Sequence, residues 1–231
     1  MDNDDDTLDR QPDTRPDDRS ILPMFPLGSV VLPGDDVPLH VFEPRYRAMV
    51  QHCLDTDSHF GVVLIERGHE VGGGDVRGTA AVSTRIDRAL PTQDGRFVLE
   101  CRGVERIRVV EWLTDDPYPR ARVTAWPDAP DTAENNDEIV DLVQERTERL
   151  FDILTDIARA RDLPTPEVPR VDAGGGRSTD ELWAFASSLP FGSSDRSKIL
   201  TADTVGQRLR VVATALDDVI AIAEFSRLPD L

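Results

Sequence analysis

The stretch Pro23–Arg47 limits the possible folds of this 231-residue chain more than any other, because it is densely apolar and yet interrupted by proline. It holds five of the chain's 17 prolines. Proline fixes the φ angle and lacks a backbone donor, so a long hydrogen-bonded strand cannot pass through the stretch unbroken. The stretch therefore predicts three short strands joined by rigid corners, at Met24–Leu27, Ser29–Leu32 and Val37–Val41.

The end of this stretch predicts a turn and then a helix. Pro33-Gly34 is typical of a tight turn, in which glycine takes the positive φ angle. Pro44 suits the first turn of a helix, where its missing N–H would be unpaired anyway. The apolar residues that follow have helical spacing, which predicts one buried face: Tyr46, Met49, Val50 and Cys53. Glu43 is expected to cap this helix, with a nearby arginine reaching back to strand carbonyls.

The same residues resemble the signature of a known family. A Phe-Pro-Leu opening, a Pro-Gly turn, a Pro-Leu pair and a Phe-Glu-Pro-Arg-Tyr close follow one another at fixed spacing. This pattern is similar to the LON amino-terminal domain, the substrate-recognition module at the front of Lon ATP-dependent proteases, which also occurs alone in small bacterial proteins. The matching residues, interpreted as mainly structural, are Phe25, Pro26, Leu27, Pro33, Gly34, Pro38, Leu39, Phe42, Glu43, Pro44, Arg45 and Tyr46.

The first half of the chain predicts a β-rich unit. From Ile21 to Trp126 the apolar residues mostly alternate with a period of two and are separated by turn residues, which favours a compact, partly closed sheet. Gly103 is expected to break one strand into two pieces, Phe97–Cys101 and Val104–Leu113. The resemblance sharpens this prediction to a PUA-like pseudo-β-barrel over residues 21–127.

The second half predicts helices. Residues 127–132 have the composition of a linker, and helical spacing of apolar residues begins soon after them. An α-helical bundle is therefore expected over residues 135–231, which makes the fold class α+β, a pseudo-barrel followed by a bundle. Residues 1–20 hold eight aspartates against three arginines and predict a disordered acidic tail.

Composition disfavours several classes of function. The net charge of −18 repels phosphate backbones and anionic membranes, so nucleic acid and membrane partners are not expected. There is no run of 18 apolar residues and no basic, apolar leader, which predicts a cytoplasmic location. Cys53 and Cys101 are expected to be buried free thiols. The histidines and cysteines lack ligand spacing, so neither a metal nor a cofactor is predicted.

The catalytic parts of a Lon protease are missing from the sequence. The only lysine, Lys198, stands between Ser197 and Ile199, so no Gly-Lys-Ser/Thr step for a nucleotide-binding loop is present. Neighbouring residues on a helix do not face each other, so Ser197 and Lys198 do not predict a Ser-Lys dyad. We therefore expect no autonomous ATP hydrolysis or proteolysis and assign no catalytic residue.

The resemblance implies a non-catalytic module that binds polypeptide clients and is linked to protein quality control, through a protease or chaperone complex. A cleft between barrel and bundle is a natural site, and Trp183, Phe191 and Leu228 are candidate apolar contributors if exposed, although core packing is the favoured interpretation of Trp183. Two alternatives stay open. PUA-like sheets elsewhere bind RNA, which the acidity disfavours here, and an acidic adaptor or scaffold for a larger complex fits equally well. The sequence does not predict an oligomeric state.

Overall fold

A computed structural model of the protein describes residues 19–68, 74–131, 136–171 and 179–226. The strands are β1 (Arg19–Leu27), β2 (Asp36–Val41), β3 (His59–Arg67), β4 (Val76–Pro91), β5 (Phe97–Trp112) and β6 (Arg120–Ala125). The helices are α1 (Pro44–Leu54), α2 (Asp137–Ala160), α3 (Thr179–Ser188), α4 (Ser193–Thr201) and α5 (Val205–Ser226). These six strands all precede α2, as the change in apolar period predicts.

The strands form a small closed barrel with one strand attached to its side. Their order in the sheet is β2-β5-β4-β3-β1-β6, and β6 also pairs with β5. That last pairing closes a ring of five strands and leaves β2 bound only through β5. The β1–β3 pair is parallel, and the other pairs are antiparallel. This arrangement confirms the predicted α+β class, with a pseudo-barrel followed by helices.

The barrel interior is filled by side chains from all five strands of the ring. One compact buried cluster holds Met24, Val63, Ala81, Ile107, Val109, Ala121 and Val123. Gly61 shares this space, since a Cβ atom there would lie 2.5 Å from the Met24 sulfur. The interior is therefore a packed core that leaves no room for a ligand.

A second, larger apolar core lies outside the ring and joins the barrel to the helices. It runs from Val62 and Val82 on the outer barrel face, past the buried side of α1, into α2, α3, α4 and α5. The helix face predicted from Tyr46, Met49, Val50 and Cys53 is buried within it. Barrel and helices thus share one core, and the boundaries 21–127 and 135–231 stay a prediction. Nearly all of the predicted acidic tail lies outside the described residues.

The predicted strand at Ser29–Leu32 is wrong. Residues 28–35 form an irregular connection whose backbone is bound by side chains and turns instead of a ladder. Asp35 accepts a hydrogen bond from the Leu32 N–H at 2.7 Å, and Arg196 donates to the Val30 carbonyl at 2.9 Å. The Pro33-Gly34 corner follows as predicted, with Gly34 at φ +91°. Because the Pro33-Gly34 corner directly follows Leu32 and turns the chain, residues 29–32 cannot extend along a neighbouring strand.

The predicted strand break at Gly103 is also wrong, because β5 continues through it. The register against β4 shifts by one residue between the pairs Thr84–Gly103 and Ser83–Glu105, so Val104 forms a bulge. Gly103 is needed for a close approach of another backbone segment. A Cβ atom at this position would lie 2.5 Å from the Leu32 carbonyl oxygen. The glycine therefore lets the 28–35 connection pack directly on β5.

Candidate functional site

The signature residues line an open cavity beside the barrel. It has a volume of about 240 Å³ and is bordered by Phe25, Pro26 and Leu27 of β1, by Pro38, Leu39, His40 and Val41 of β2, and by Phe42, Glu43 and Tyr46. Phe42 leaves 49 % of its surface exposed there. An exposed phenylalanine beside buried and half-buried apolar residues is suited to contact an apolar ligand side chain.

A second cavity continues the first towards the helices. It measures about 560 Å³ and shares Leu27, Pro38 and Leu39 with its neighbour. Its other side is formed by Phe191, Gly192, Ser193 and Arg196 at the start of α4. We call the two cavities together the β1–β2 groove. The groove therefore extends from the first turn of α1 to the junction between the barrel and the helices.

Aromatic packing beneath the groove explains part of the signature. The rings of Phe25 and Tyr46 lie 4.5 Å apart, and Phe60 meets Phe25 edge-on at 6.2 Å. Tyr46 is almost completely buried, and burial raises the pKa of its hydroxyl to about 12. These rings fix the position of β1 against α1, so the signature builds one side of the groove as well as the fold.

Glu43 and Arg45 do not act as expected. Glu43 occupies the N-cap position of α1, but its side chain makes no capping hydrogen bond. It accepts instead from the Arg45 Nε at 3.1 Å, while the Arg45 guanidinium lies 4.5 Å from the Tyr46 ring centre. The predicted cap is therefore wrong. Proline at the first helical position already removes one donor that a cap would have to satisfy.

Asp35 holds the far side of the groove in place. Besides the Leu32 N–H, its carboxylate accepts hydrogen bonds from Ser187 of α3 and Arg196 of α4. Arg196 also donates to the Val30 carbonyl, which lies in the 28–35 connection. The arginine that binds this segment belongs to α4, whereas the expected one belonged to the signature. This ion pair ties the Pro33-Gly34 corner to the helices.

A buried charged cluster closes the junction elsewhere. Asp128 accepts from Arg106 of β5 at 2.9 Å and from both terminal nitrogens of Arg208 of α5, at 2.9 and 2.5 Å. Both arginines are buried, and Arg208 is fully so. Burial and the neighbouring Arg208 lower the pKa of Arg106 to about 10. We call these three residues the Asp128 cluster.

The surroundings of the Asp128 cluster offset its excess positive charge. Arg106 also donates to the carbonyls of Trp126, Leu200 and Ala202, at 2.7, 2.9 and 2.6 Å. The Arg208 guanidinium lies 3.7 Å from the centre of the Trp183 ring. Carbonyl oxygens and aromatic faces both favour a guanidinium ion that has left water. The cluster is therefore a closed structural site that joins strand, linker and helix.

Sequence reasoning missed this cluster, although one signal was present. Arg208 stands on the apolar stripe of α5, four residues before Val212, which is also buried. A charged residue on a buried helix face requires a buried partner. Asp128 itself gave no signal, because it stands among residues 127–132, which have the composition of a linker.

The proposed polypeptide contacts are placed differently from the expectation. Trp183 and Phe191 leave only 4 % and 7 % of their surface exposed. Core packing, the favoured interpretation of Trp183, therefore holds, whereas Phe191 lacks the exposure that a polypeptide contact was expected to have. Trp183 packs on the Asp128 cluster, while Phe191 borders the second cavity of the groove from within the core. Leu228 lies outside the described residues. Exposed apolar surface is instead supplied by Phe42, a residue of the signature.

Cys53 and Cys101 are confirmed as buried free thiols. Burial raises the pKa of each thiol to about 12, which leaves almost no thiolate at neutral pH. In the part of the chain that the structure describes, no group of three or more His, Cys, Asp or Glu side chains is placed to hold a metal ion. No helix over those same residues has the length and apolar character to span a bilayer.

Comparison with known proteins now decides the family. The sequence model of the ATP-dependent protease La (LON) substrate-binding domain matches residues 21–218. This chain belongs to the Lon substrate-binding domain family. The match covers both the barrel and the helices, and the groove residues lie inside it.

Curated relatives include complete Lon proteases. Lon protease of Cytophaga hutchinsonii is 26 % identical over 216 residues, which cover 90 % of this chain and 25 % of that protein. Lon protease 2 of Myxococcus xanthus is 34 % identical over 122 residues, 52 % of this chain and 14 % of the relative. The Lon-family chain thus spans a quarter or less of the length of these relatives.

Solved structures with the same fold include Lon amino-terminal domains. The Lon N-terminal domain protein of Xanthomonas campestris has a TM-score of 0.57 and 27 % identity, covering 84 % of this chain and 98 % of that one. The N-terminal domain of Mycobacterium avium complex Lon protease has the same TM-score at 20 % identity, covering 86 % and 99 %, and it supports the fold alone.

Proposed function

We propose that this chain is a non-catalytic polypeptide-binding module of protein quality control and that it binds clients in the β1–β2 groove. The observation that carries the proposal is the groove itself. Family-signature residues line an open apolar cavity that extends to the helices, and Phe42 is half exposed within it. Membership of a substrate-binding domain family supports a polypeptide as the ligand.

The surroundings of Lys198 support the non-catalytic part of the proposal. Its ammonium lies 2.9 Å from Asp195, and its side chain is 61 % exposed. A catalytic Ser-Lys dyad needs the opposite, a lysine desolvated beside the serine that it activates. A cytoplasmic location and a protease or chaperone partner are further parts of this proposal. The relatives named as Lon proteases support a protease as the partner.

The test measures binding of a permanently unfolded protein, reduced and carboxamidomethylated lysozyme, by titration calorimetry in 300 mM NaCl. That salt concentration screens charges beyond about 6 Å, so the net charge of −18 contributes little. We expect a dissociation constant between about 10 and 100 μM, which corresponds to a weak specific interaction. No heat of binding up to about 100 μM would contradict the proposal.

Two matched variants locate the site. Phe42→Ala removes an exposed phenylalanine from the groove, and Phe225→Ala removes one that is 76 % exposed on α5, outside it. We expect Phe42→Ala to weaken binding about tenfold, since one desolvated aromatic contact contributes 1–2 kcal/mol, and Phe225→Ala to leave binding unchanged. Equal affinities of the two variants would show that clients bind elsewhere.

A gel-shift assay with RNA at low salt tests the nucleic-acid alternative.

A further inference from the structure

β2 is an edge strand whose outer side is unpaired. It is the terminal strand of the sheet order and pairs with β5 alone among the described strands. An exposed strand edge is a template for another strand, and proteins usually shield such edges. Here the edge borders the β1–β2 groove, so the direction of its backbone groups decides whether another strand can pair with it.

The register shows which residues of β2 face outward. Asp36 lies opposite Arg102, so Asp35 lies opposite Gly103, and the Gly103 N–H donates to the Asp35 carbonyl at 2.9 Å. Hydrogen-bonded positions alternate along an antiparallel pair. The inward positions after Asp35 are therefore Val37, Leu39 and Val41, and the outward ones are Asp36, Pro38 and His40.

Proline at position 38 agrees with this alternation. Pro38 has no N–H, and it is tolerated in a strand where that group would point away from the ladder. Among the residues that the structure describes, none forms a hydrogen bond with the outward backbone groups of Asp36, Pro38 or His40. The free edge thus offers two donors, at Asp36 and His40, and three carbonyl acceptors.

The groove meets β2 along this edge. Successive side chains of a strand point to opposite faces, yet the first cavity touches four consecutive residues, Pro38–Val41, and the second touches Asp35–Leu39. A cavity in contact with both faces of a strand must approach it from the side. Across the groove the first cavity likewise touches three consecutive residues of β1, Phe25–Leu27.

From this geometry we propose that the groove binds its client as an added β-strand, paired through its backbone to the outer edge of β2. The inference rests on the proposed polypeptide-binding function. Outward groups recur every second residue, about 6.8 Å apart, which matches the repeat of an extended backbone. Alternate client side chains then contact Phe42, Leu27 and Leu39.

Charge selects among extended clients. Asp36, at the beginning of the free edge, is already paired with Arg102 at 2.7 Å, so the selection comes from the net charge of −18 that the whole chain carries. An acidic client is therefore repelled, while one with basic residues near its ends is attracted. The occupant is a neutral or basic extended segment in which every second residue is apolar.

The experiment uses the peptide Lys-Thr-Val-Thr-Leu-Thr-Val-Thr-Lys and two isomers N-methylated at alternate residues, on the Val and Leu amides or on the intervening Thr amides. Amides of successive residues point to opposite edges of a strand and those of alternate residues to the same edge, so only one isomer blocks the edge that faces β2. We expect the two isomers to differ at least tenfold in affinity for the intact protein. Equal affinities of the isomers would overturn strand pairing but not client binding, while failure of both the parent peptide and unfolded lysozyme would overturn the proposed function itself.

A pair of protein variants tests the same edge from the other side. His40→Pro removes an outward donor, whereas His40→Ala removes the side chain and keeps the N–H. We expect His40→Pro to bind the parent peptide at least fivefold more weakly than His40→Ala, with both folded by circular dichroism. Equal binding of the two folded variants would contradict the proposal. A dimer that His40→Pro converts to monomer would assign the edge to a second copy of this chain and would also overturn it.

Discussion

The Asp128 cluster and the β1–β2 groove both contact α4, but their chemistry is opposite. The start of α4 borders the groove, where Phe42 is half exposed and the edge of β2 is unpaired. The end of α4 supplies the Leu200 carbonyl to the Asp128 cluster, where charges are buried and hydrogen-bonded. The groove is open and exposes apolar side chains, although the Asp35–Arg196 ion pair borders it, whereas the Asp128 cluster is closed and ionic.

This difference indicates which contact is structural. A buried ion pair that already has its partners gains nothing from a ligand, and removing one partner leaves an uncompensated charge. An open apolar surface beside unpaired backbone groups can still gain both burial and hydrogen bonds. We therefore assign stability to the Asp128 cluster and client binding to the groove, and variants can separate these two assignments.

The largest expected effect is on the Asp128 cluster. Asp128→Ala leaves Arg106 and Arg208 buried without a carboxylate, which should lower the free energy of unfolding by about 3–5 kcal/mol. Urea denaturation followed by circular dichroism measures this change. The fraction that remains folded should bind unfolded lysozyme with unchanged affinity, because the cluster does not border the groove.

An exposed ion pair is the control for Asp128. Asp217 pairs with Arg146 at 2.9 Å and has a side chain that is 52 % exposed. Asp217→Asn should change stability by about 0.5 kcal/mol or less, as is usual for surface pairs. If Asp128→Ala and Asp217→Asn had similar effects, the junction would not depend on the buried cluster.

A smaller effect is expected at Gly103 of β5. This strand carries Arg106 of the Asp128 cluster, and the 28–35 connection beside the groove packs on it. Gly103→Ala would place a Cβ atom 2.5 Å from the Leu32 carbonyl oxygen, which belongs to a backbone that cannot easily move. We expect a loss of about 2 kcal/mol, together with weaker client binding, because the displaced connection leads directly into β2. Thermal unfolding and calorimetry measure the two quantities.

Gly78 provides a matched control for Gly103, since it is also a strand glycine. A Cβ atom there would meet the flexible end of Glu66 at 3.2 Å. Gly78→Ala should therefore be neutral or slightly stabilising, because alanine loses less backbone entropy on folding. A loss as large as that of Gly103→Ala would show that any strand glycine is intolerant.

Sequence reasoning predicted those features that depend on local pattern. The Pro33-Gly34 corner, the α1 helix face and the barrel-then-helix order follow from proline chemistry and apolar period, and the structure confirms them. The groove could be anticipated only as a cleft between barrel and bundle. The free edge of β2 depends on the order of the strands in the sheet, and a short segment of the sequence does not contain that information.

The failures arose from tertiary contacts. Gly103 marks the approach of a segment 70 residues away in the chain, although a local pattern interprets it as a strand break. Core packing of Trp183 was the favoured interpretation, but its contacts with arginines of β5 and α5 could not be predicted, because neither arginine is near it in sequence. The side chain of Glu43 is satisfied by Arg45 before it can cap α1. In each case a partner distant in sequence or a competing charge overrides the local preference.

The smallest expected effect depends on pH and concerns Asp131, close to the Asp128 cluster in the presumed linker. Burial alone would raise the pKa of its carboxyl, but hydrogen bonds from Asn136, the Gly206 N–H and Thr204 outweigh it and hold the pKa below the usual 3.8. A carboxyl with a lowered folded pKa stabilises the protein above its unfolded pKa, and that contribution is lost as the pH falls through the folded value.

Asp131→Asn should therefore cost about 1 kcal/mol at pH 7, where the charged carboxylate accepts from the first turn of α5. Below pH 3.8 the wild-type protein progressively loses this advantage, so the difference in stability between the two proteins should become smaller as the pH falls. Urea denaturation at pH 7 and at pH 3 measures the change. A stability difference of the same size at both pH values would show that the Asp131 contacts act through shape and not through charge, and the linker would then be held to α5 by packing alone.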